Sequence, residues 1–421
     1  MVKRPKEINK IVNKIAEAGY DAYCAGHCVM AAYLGEEPLD WDIYTDCPQE
    51  KLTELFDEGE KVGKRVIRLD YTVEVKSDDV NVADSYEGVI ADLITYEATI
   101  EDELKNYAFT AETIAEHSQK SPIDPYGGRE DIKKLILKPA GDIVQSLEKR
   151  PIRILEAVKY ASLYNLDMSK GLSEAITKNS GLLARARKAD ILEEMLEIVN
   201  GDYAGKALKM LAGLGLVEYI IGKKASQNNR READEYRILC ERIDQIKHVP
   251  LRRLNLFYYR FRRHYDEAVE YLPHSEHDKA LLLESKTGIR SVYFINNSTE
   301  LKRCIHRRGW ESFNYLDRLL KAEAILFDYN TAKIEGRDAM LREIIMNKEP
   351  IFEEDLVIDV EDIIEAGITD SPQRAAFLMT LLPDVVHKKP ENNTRKILLI
   401  NAKRLSKSKL SRSIRGVTWL R

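Results

Sequence analysis

The sequence predicts an α+β fold, with a small mixed sheet in about the first 140 residues and helices from there to the end. Three observations lead to this. Short alternating runs and helical periods interleave near the start, separated by Gly and Pro. After Pro151 strand signals nearly vanish, and apolar residues recur at helical spacing. At 421 residues the chain also exceeds one ordinary core, so several domains are expected.

The elements follow in order. Ile8, Ile11, Val12 and Ile15 keep the i, i+3, i+4, i+7 spacing of an amphipathic helix, which Gly19 ends. A strand is expected over 21–24, and Gly26 then turns the chain into a helix over 29–34. Turn residues at 35–38 lead into a second strand over 41–44. Asp46 and Pro48 open a helix with Leu52, Leu55 and Phe56 on its buried face. The runs 66–69 and 71–75 alternate like the two arms of a hairpin. Beyond Pro151, Ile152, Leu155 and Val158 start a series of helices. Leu192, Met195, Leu196 and Val199 continue it, as do Leu208, Leu211 and Leu214. Linkers are expected at 222–231 and 347–354.

Composition narrows the function classes. Hydrophobic residues make up 44% and charged residues 32%, as in a globular chain. No apolar run is long enough to span a bilayer, and the basic start has no apolar stretch after it, so neither an anchor nor a signal peptide is expected and the default compartment is the cytoplasm. Five scattered cysteines, Cys24, Cys28, Cys47, Cys240 and Cys304, argue for a reducing compartment. A net charge of −5 means that any nucleic-acid binding must come from locally gathered basic surface.

The sharpest chemical signal is Asp40-Trp41-Asp42. On a strand, residues i and i+2 face the same way, so two carboxylates stand side by side and repel unless cations separate them. Magnesium prefers oxygen ligands and leaves room for phosphate oxygens. Two such ions could activate a 3′ hydroxyl and neutralise a leaving pyrophosphate. Upstream, Gly26 sits between a strand and a helix, where backbone N–H groups can cradle a triphosphate. Glu74, on a later strand, is a candidate third carboxylate. Cys24, His27, Cys28 and Cys47 include zinc-type ligands, but their spacing is not that of a zinc knuckle.

Tyr23-Cys24-Ala25-Gly26-His27-Cys28-Val29 followed by Leu34-Gly35-Glu36-Glu37-Pro38-Leu39-Asp40-Trp41-Asp42-Ile43 resembles the head motif of class II tRNA nucleotidyltransferases and bacterial poly(A) polymerases. Asp124-Pro125-Tyr126-Gly127-Gly128 resembles a later turn of that family, and Pro151-Ile152-Arg153-Ile154-Leu155 its neck helix. Ile358-Asp359-Val360-Glu361-Asp362 and Asn392-Asn393 are similar to its tail. The resemblance implies a polymerase-β-like head over 1–140, a helical neck over 141–205, a body over 206–330 and a tail over 331–421. It implies addition of CMP and AMP to tRNA 3′ ends from CTP and ATP, with two Mg2+ ions on Asp40 and Asp42. Gly26, His27 and Arg153 would then lie at the nucleotide, and tRNA or another structured RNA would be the partner.

The departures from the family pattern fall on polar positions. His27 replaces a glycine, and Met30 and Ala31 stand where an arginine and an aspartate are expected. Asn106-Tyr107-Ala108 replaces Arg-Arg-Asp, and Lys149-Arg150 replaces Glu-Asp in the base-selecting motif, leaving only Arg153. Arg150 has donors only and cannot act as the Asp acceptor. A triphosphate needs compensating cations, for which Lys64, Arg65 and Lys105 are the candidates. Two readings therefore stand: a transferase with altered nucleotide handling, which the intact Asp pair favours, or a catalytically degenerate relative that binds RNA or a protein partner. A third reading is a transferase using another nucleotide or acceptor, such as a poly(A) polymerase, because base choice rests on the altered Arg150 region.

Several basic clusters could meet RNA. Arg252, Arg253, Arg260, Arg262 and Arg263, interleaved with Phe257, Tyr258, Tyr259 and Phe261, suit phosphate contact and stacking. Others are Lys223, Lys224, Arg230 and Arg231; Arg303, His306, Arg307 and Arg308; and a C-terminal run from Lys403 to Arg415.

Overall fold

The computed structural model describes residues 2–75, 85–223 and 230–408. Two compact units divide the chain, Met1–Lys279 and Ala280–Arg421. The boundary falls inside the stretch expected to be one helical body. Lys224, most of the 222–231 linker, and Lys409, Arg412 and Arg415 of the terminal basic run lie outside the described residues.

The first unit opens with α1 (Lys6–Glu17), whose Ile8, Ile11, Val12 and Ile15 are all buried. Gly19 follows at φ +89°, a left-handed turn that glycine adopts without strain. Then come β1 (Ala22–Ala25), α2 (His27–Tyr33), β2 (Asp40–Thr45) and α3 (Gln49–Leu55). Next are β3 (Glu60–Lys61), β4 (Val66–Asp70), β5 (Val73–Val75), β6 (Ser85–Glu87) and β7 (Ile90–Thr95), with β8 (Ala115–His117) after helix α4 (Ile100–Leu104). Six strands form one mixed sheet in the order β3-β4-β7-β2-β1-β8. Only β2 and β7 run parallel within it.

The expected hairpin of 66–69 with 71–75 does not form. β4 pairs with β7, while β5 pairs with β6 in a separate two-stranded sheet. Alternation fixes which residues share a face but not which strand is the partner, and β7 offers β4 a buried apolar run, Ala91 and Leu93.

Helices α5 (Gly128–Lys133), α6 (Ile143–Lys149) and α7 (Arg153–Tyr164) follow the sheet. The Asp124 carboxylate accepts from the N–H groups of Gly128 (2.7 Å) and Arg129 (3.1 Å), which closes the Asp-Pro-Tyr-Gly-Gly turn. A Cβ on Gly128 would stand 2.0 Å from the Thr110 carbonyl oxygen, so only glycine fits there. α8 (Lys170–Asn179) follows and packs on α6, while α7, with Leu155, Val158 and Ala161 buried, packs on α9 (Lys188–Asn200) and α10 (Ala204–Gly213). Past Arg153, Asp167–Met168 is the only strand among the described residues, as the sequence leads one to expect.

The arginine cluster expected to meet RNA is mostly interior. Arg253, on helix Pro250–Tyr259, is fully buried and donates to the carbonyls of Val199 (3.0 Å), Gly201 (3.0 Å) and Ile246. Arg252 and Arg260 are buried too, the latter donating to the Leu256 carbonyl. Phe257 and Tyr258 are core residues. Only Arg262 and Arg263 reach the surface, and Arg262 is paired with Glu235 at 3.1 Å. Of the five arginines expected to meet RNA, Arg252, Arg253 and Arg260 are therefore interior, and Arg262 and Arg263 stay at the surface. The reason is that the stem of an arginine packs like an apolar chain and its five donors can satisfy chain-end carbonyls.

In the second unit, helix Ser298–Phe327 is kinked at Gly309 and packs beside Ala332–Met346. Arg303 and Arg308 of the third basic cluster are engaged by Asp384 and Glu284. The tail helices close over Ile363, Ala375, Leu378 and Leu398.

Replacing Arg253 by Met strands three buried carbonyls. Urea denaturation is expected to show a loss of about 3 kcal/mol, whereas Arg263→Met should leave the midpoint within error.

Candidate active site

Parity along β2 builds the site. Trp41, Ile43 and Thr45 are buried on one face. The Trp41 indole, 1% exposed, donates to the Pro38 carbonyl at 3.0 Å and fixes that face inward. Asp40, Asp42 and Tyr44 must then share the opposite face. A slip of one residue would bury both carboxylates, so the hydrophobic side of the strand sets the register of the polar side.

Neighbouring strands add two groups that sequence reasoning missed. Asp42 lies directly opposite Asp92 of β7, and Asp92 lies opposite Arg68 of β4. Arg68 grips Asp92 with two bonds of 2.7 Å. The signal was present in Ile90-Ala91-Asp92-Leu93, an acid interrupting an apolar strand. Glu74, the third carboxylate expected from sequence, stands on β5 of the separate two-stranded sheet, in register with Tyr86.

Charge at this end of the sheet is unbalanced. Burial, then the negative charges of Asp92 and Asp40, push the Asp42 carboxyl up to about 6. Asp40 is also raised, by burial first, with Asp92 and Asp70 adding to it and Arg68 opposing. Three carboxylates against one guanidinium is a setting that an oxygen-liganded divalent cation would relieve. Among the described residues, no group of three or more His, Cys, Asp or Glu side chains closes round a metal position. The chain would thus offer a magnesium ion fewer than three such side chains, and magnesium habitually fills its shell with phosphate and water oxygens.

The Gly26 turn adjoins the pair, because Ala25 lies opposite Asp42 across β1 and β2. Gly26 adopts φ +85°, ψ −150°, a region open to glycine. Its space is taken. A Cβ built on Gly26 would stand 2.3 Å from the Tyr107 hydroxyl. That hydroxyl bonds to the Tyr44 hydroxyl at 2.9 Å. His27, expected at the nucleotide, is engaged within the protein: its Nε2 meets the Tyr164 hydroxyl at 2.7 Å and its ring stacks on Tyr160. Burial and nearby Lys159 push the imidazole down to about 4, so it is neutral at pH 7. His27 therefore acts as packing between α2 and α7.

Arg153 is also occupied. It donates to Ser146 Oγ (2.7 Å) and to the Asn106 carbonyl (2.6 Å). Arg150 pairs with Glu156 at 2.8 Å. Of the candidate replacement cations, Arg65 is held by Glu103 and the Thr95 carbonyl, and Lys105 by Asp102 at 2.7 Å, while Lys64 is exposed. Arg68 is the cation that the sheet brings nearest the carboxylates. Lys149 and Arg150 line a cavity of about 420 Å³ together with Arg185, Arg187 and Glu194.

A mixed sheet carrying Asp-x-Asp beside a glycine turn, followed by helices, is an arrangement suited to cation-bound phosphates. Residues 165–224 match the family described as the probable RNA and SrmB-binding site of polymerase A. The CCA-adding enzyme of Geobacillus stearothermophilus is 30% identical over 234 residues, 54% of this chain and 57% of that protein. The aligned stretch thus spans little more than half the length of that relative. In fold the likeness runs further. The crystal structure of the Bacillus stearothermophilus CCA-adding enzyme in complex with CTP superposes with a TM-score of 0.74 at 19% identity, covering 97% of this chain and 98% of that one. The Thermotoga maritima CCA-adding enzyme complexed with tRNA gives 0.62 at 16% identity, with 96% of each chain covered. The chain has the fold of these enzymes.

Asp42 supplies a pH signature. In the fold its carboxyl holds its proton up to about 6, against 3.8 when unperturbed. The native state therefore binds the extra proton, and stability without divalent cations should fall as pH rises from about 4 through 6. Asp42→Asn is expected to flatten that slope in thermal melts.

Proposed function

We propose that this chain is an RNA nucleotidyltransferase that adds CMP and AMP to tRNA 3′ ends. One observation carries the reading: β1 and β2 set the Asp40–Asp42 pair beside the Gly26 turn, in a chain that shares its fold along 97% of its length with a CCA-adding enzyme. In the transfer, the terminal 3′ hydroxyl of the RNA gives its proton to solvent and its oxygen bonds to the α-phosphorus of CTP or ATP. The bond from that phosphorus to its bridging oxygen breaks, and pyrophosphate leaves. Asp40 and Asp42 would hold two Mg2+ ions, which when bound neutralise the phosphates and lower the pKa of the attacking hydroxyl. Arg68 stands on the same face through Asp92 and can lend positive charge to the phosphates. Arg153 would meet the base once it releases Asn106.

Within this reading 1–140 is the head, 141–205 the neck, 206–330 the body and 331–421 the tail. The tRNA surface falls on the segment that matches the RNA-binding family, where Lys178 and Arg185 are exposed; Arg262 and Arg263 extend it. Among the described residues no helix is long and apolar enough to cross a membrane.

A second reading has its own observation. Tyr107 fills the turn that a triphosphate would use, and the cations of the family pattern are gone. On that reading the chain binds RNA or a partner protein without catalysis.

Transfer of labelled CTP or ATP to tRNA lacking its 3′ end decides between them. The parent protein should label the tRNA, and an Asp40→Ala/Asp42→Ala variant should be slower by on the order of 10³-fold. No label with either nucleotide, while the tRNA still shifts in a gel, would favour the second reading. In the same gel assay, Lys178→Gln/Arg185→Gln should weaken tRNA binding and lower the slope of log affinity against log salt by about 1.5.

A further inference from the structure

Tyr107 occupies a position that the proposed chemistry leaves unexplained. Its Oη, Cζ and Cε1 lie 2.3, 2.8 and 3.0 Å from where a Gly26 Cβ would stand. The tip of the ring rests on the backbone of the turn, where only a residue without a side chain admits it. A phosphate approaching the same backbone would need the same volume.

The ring is held from three sides. Its hydroxyl is tied to Tyr44, which shares the face of Asp40 and Asp42 on β2. The residue before it, Asn106, gives its carbonyl to Arg153 at 2.6 Å. The residue after it, Ala108, is buried and accepts from the Ala140 N–H at 2.9 Å. Arg153 is also fastened to Ser146, so the start of α7 latches the loop that carries the ring.

We propose that Tyr107 gates the phosphate cradle: in the RNA-free protein its ring excludes nucleoside triphosphates from the Gly26 turn, and entry requires it to swing away. The proposal rests on the nucleotidyltransferase reading of the Asp40–Asp42 site. It makes Tyr107 a residue that controls nucleotide entry by volume. It also gives Arg153 two exclusive partners, the Asn106 carbonyl when the gate is shut and a nucleobase when it is open.

Calorimetric titration of the full-length protein with Mg2+–CTP and Mg2+–ATP tests this. Tyr107→Ser, which removes the ring, should bind at least tenfold more tightly than the parent. Tyr107→Phe keeps the ring in the turn and should gain no more than a few-fold. Tyr44→Phe, a mild change that unties the hydroxyl, should gain a few-fold and serves if Tyr107→Ser does not fold. A folded Tyr107→Ser with parental affinity, or an unfolded one alongside an unchanged Tyr44→Phe, would overturn the gate. Tighter binding by Tyr107→Ser without label transfer to tRNA would keep the gate and remove the transferase reading. Equal binding by all variants with label transfer by the parent would do the reverse.

Discussion

Asp42 lies between Ala25 on one neighbouring strand and Asp92 on the other. The site depends on that register. It sets the carboxylates together, it brings the Gly26 turn next to them, and it is fixed by Trp41, Ile43 and Thr45 burying the opposite face. Apolar packing is thus what forces like charges into proximity. The cost shows in the raised carboxyl of Asp42 and in the grip of Arg68 on Asp92. A protein that keeps such an arrangement holds a place for positive charge.

Around that frame, polar groups make contacts within the protein that the family resemblance assigns to nucleotide. Tyr107 touches Gly26, Arg153 donates to Asn106, and Arg150 pairs with Glu156. His27 packs against Tyr160 and Tyr164. The buried Glu112 accepts from Tyr160 Oη at 2.6 Å and from the Phe109 N–H at 3.3 Å, which ties the loop after Tyr107 to α7. Most of these contacts form a seam that joins α7 to α2 and to the loop around Tyr107. A ligand entering it would have to outcompete hydrogen bonds already made, so nucleotide affinity and the stability of the seam oppose one another.

Much of the fold was legible in the sequence. The helical periods gave α1, α7 and α9 with errors of a few residues, and the Asp-x-Asp strand placed the carboxylate pair on one face. What was not legible depended on pairing. Alternation in 66–75 could not reveal that β4 would join β7 while β5 joined β6, because partner choice is a long-range matter. For the same reason Asp92 and Arg68 were missed and Glu74 was preferred. The arginines at 252–260 misled because charge in a sequence says nothing of whether carbonyls wait for it in the interior. Tyr107 was read as a lost cation, and only three-dimensional placement shows it filling the space above a glycine 81 positions earlier.

Anomalous diffraction from crystals grown with Mn2+, CTP and tRNA lacking its 3′ end bears most directly on this account. Manganese peaks between the carboxylates of Asp40 and Asp42, with phosphate density over Gly26 and the Tyr107 ring displaced, are the expected result. An ordered site with no manganese at the pair and Tyr107 still seated on Gly26 would contradict it.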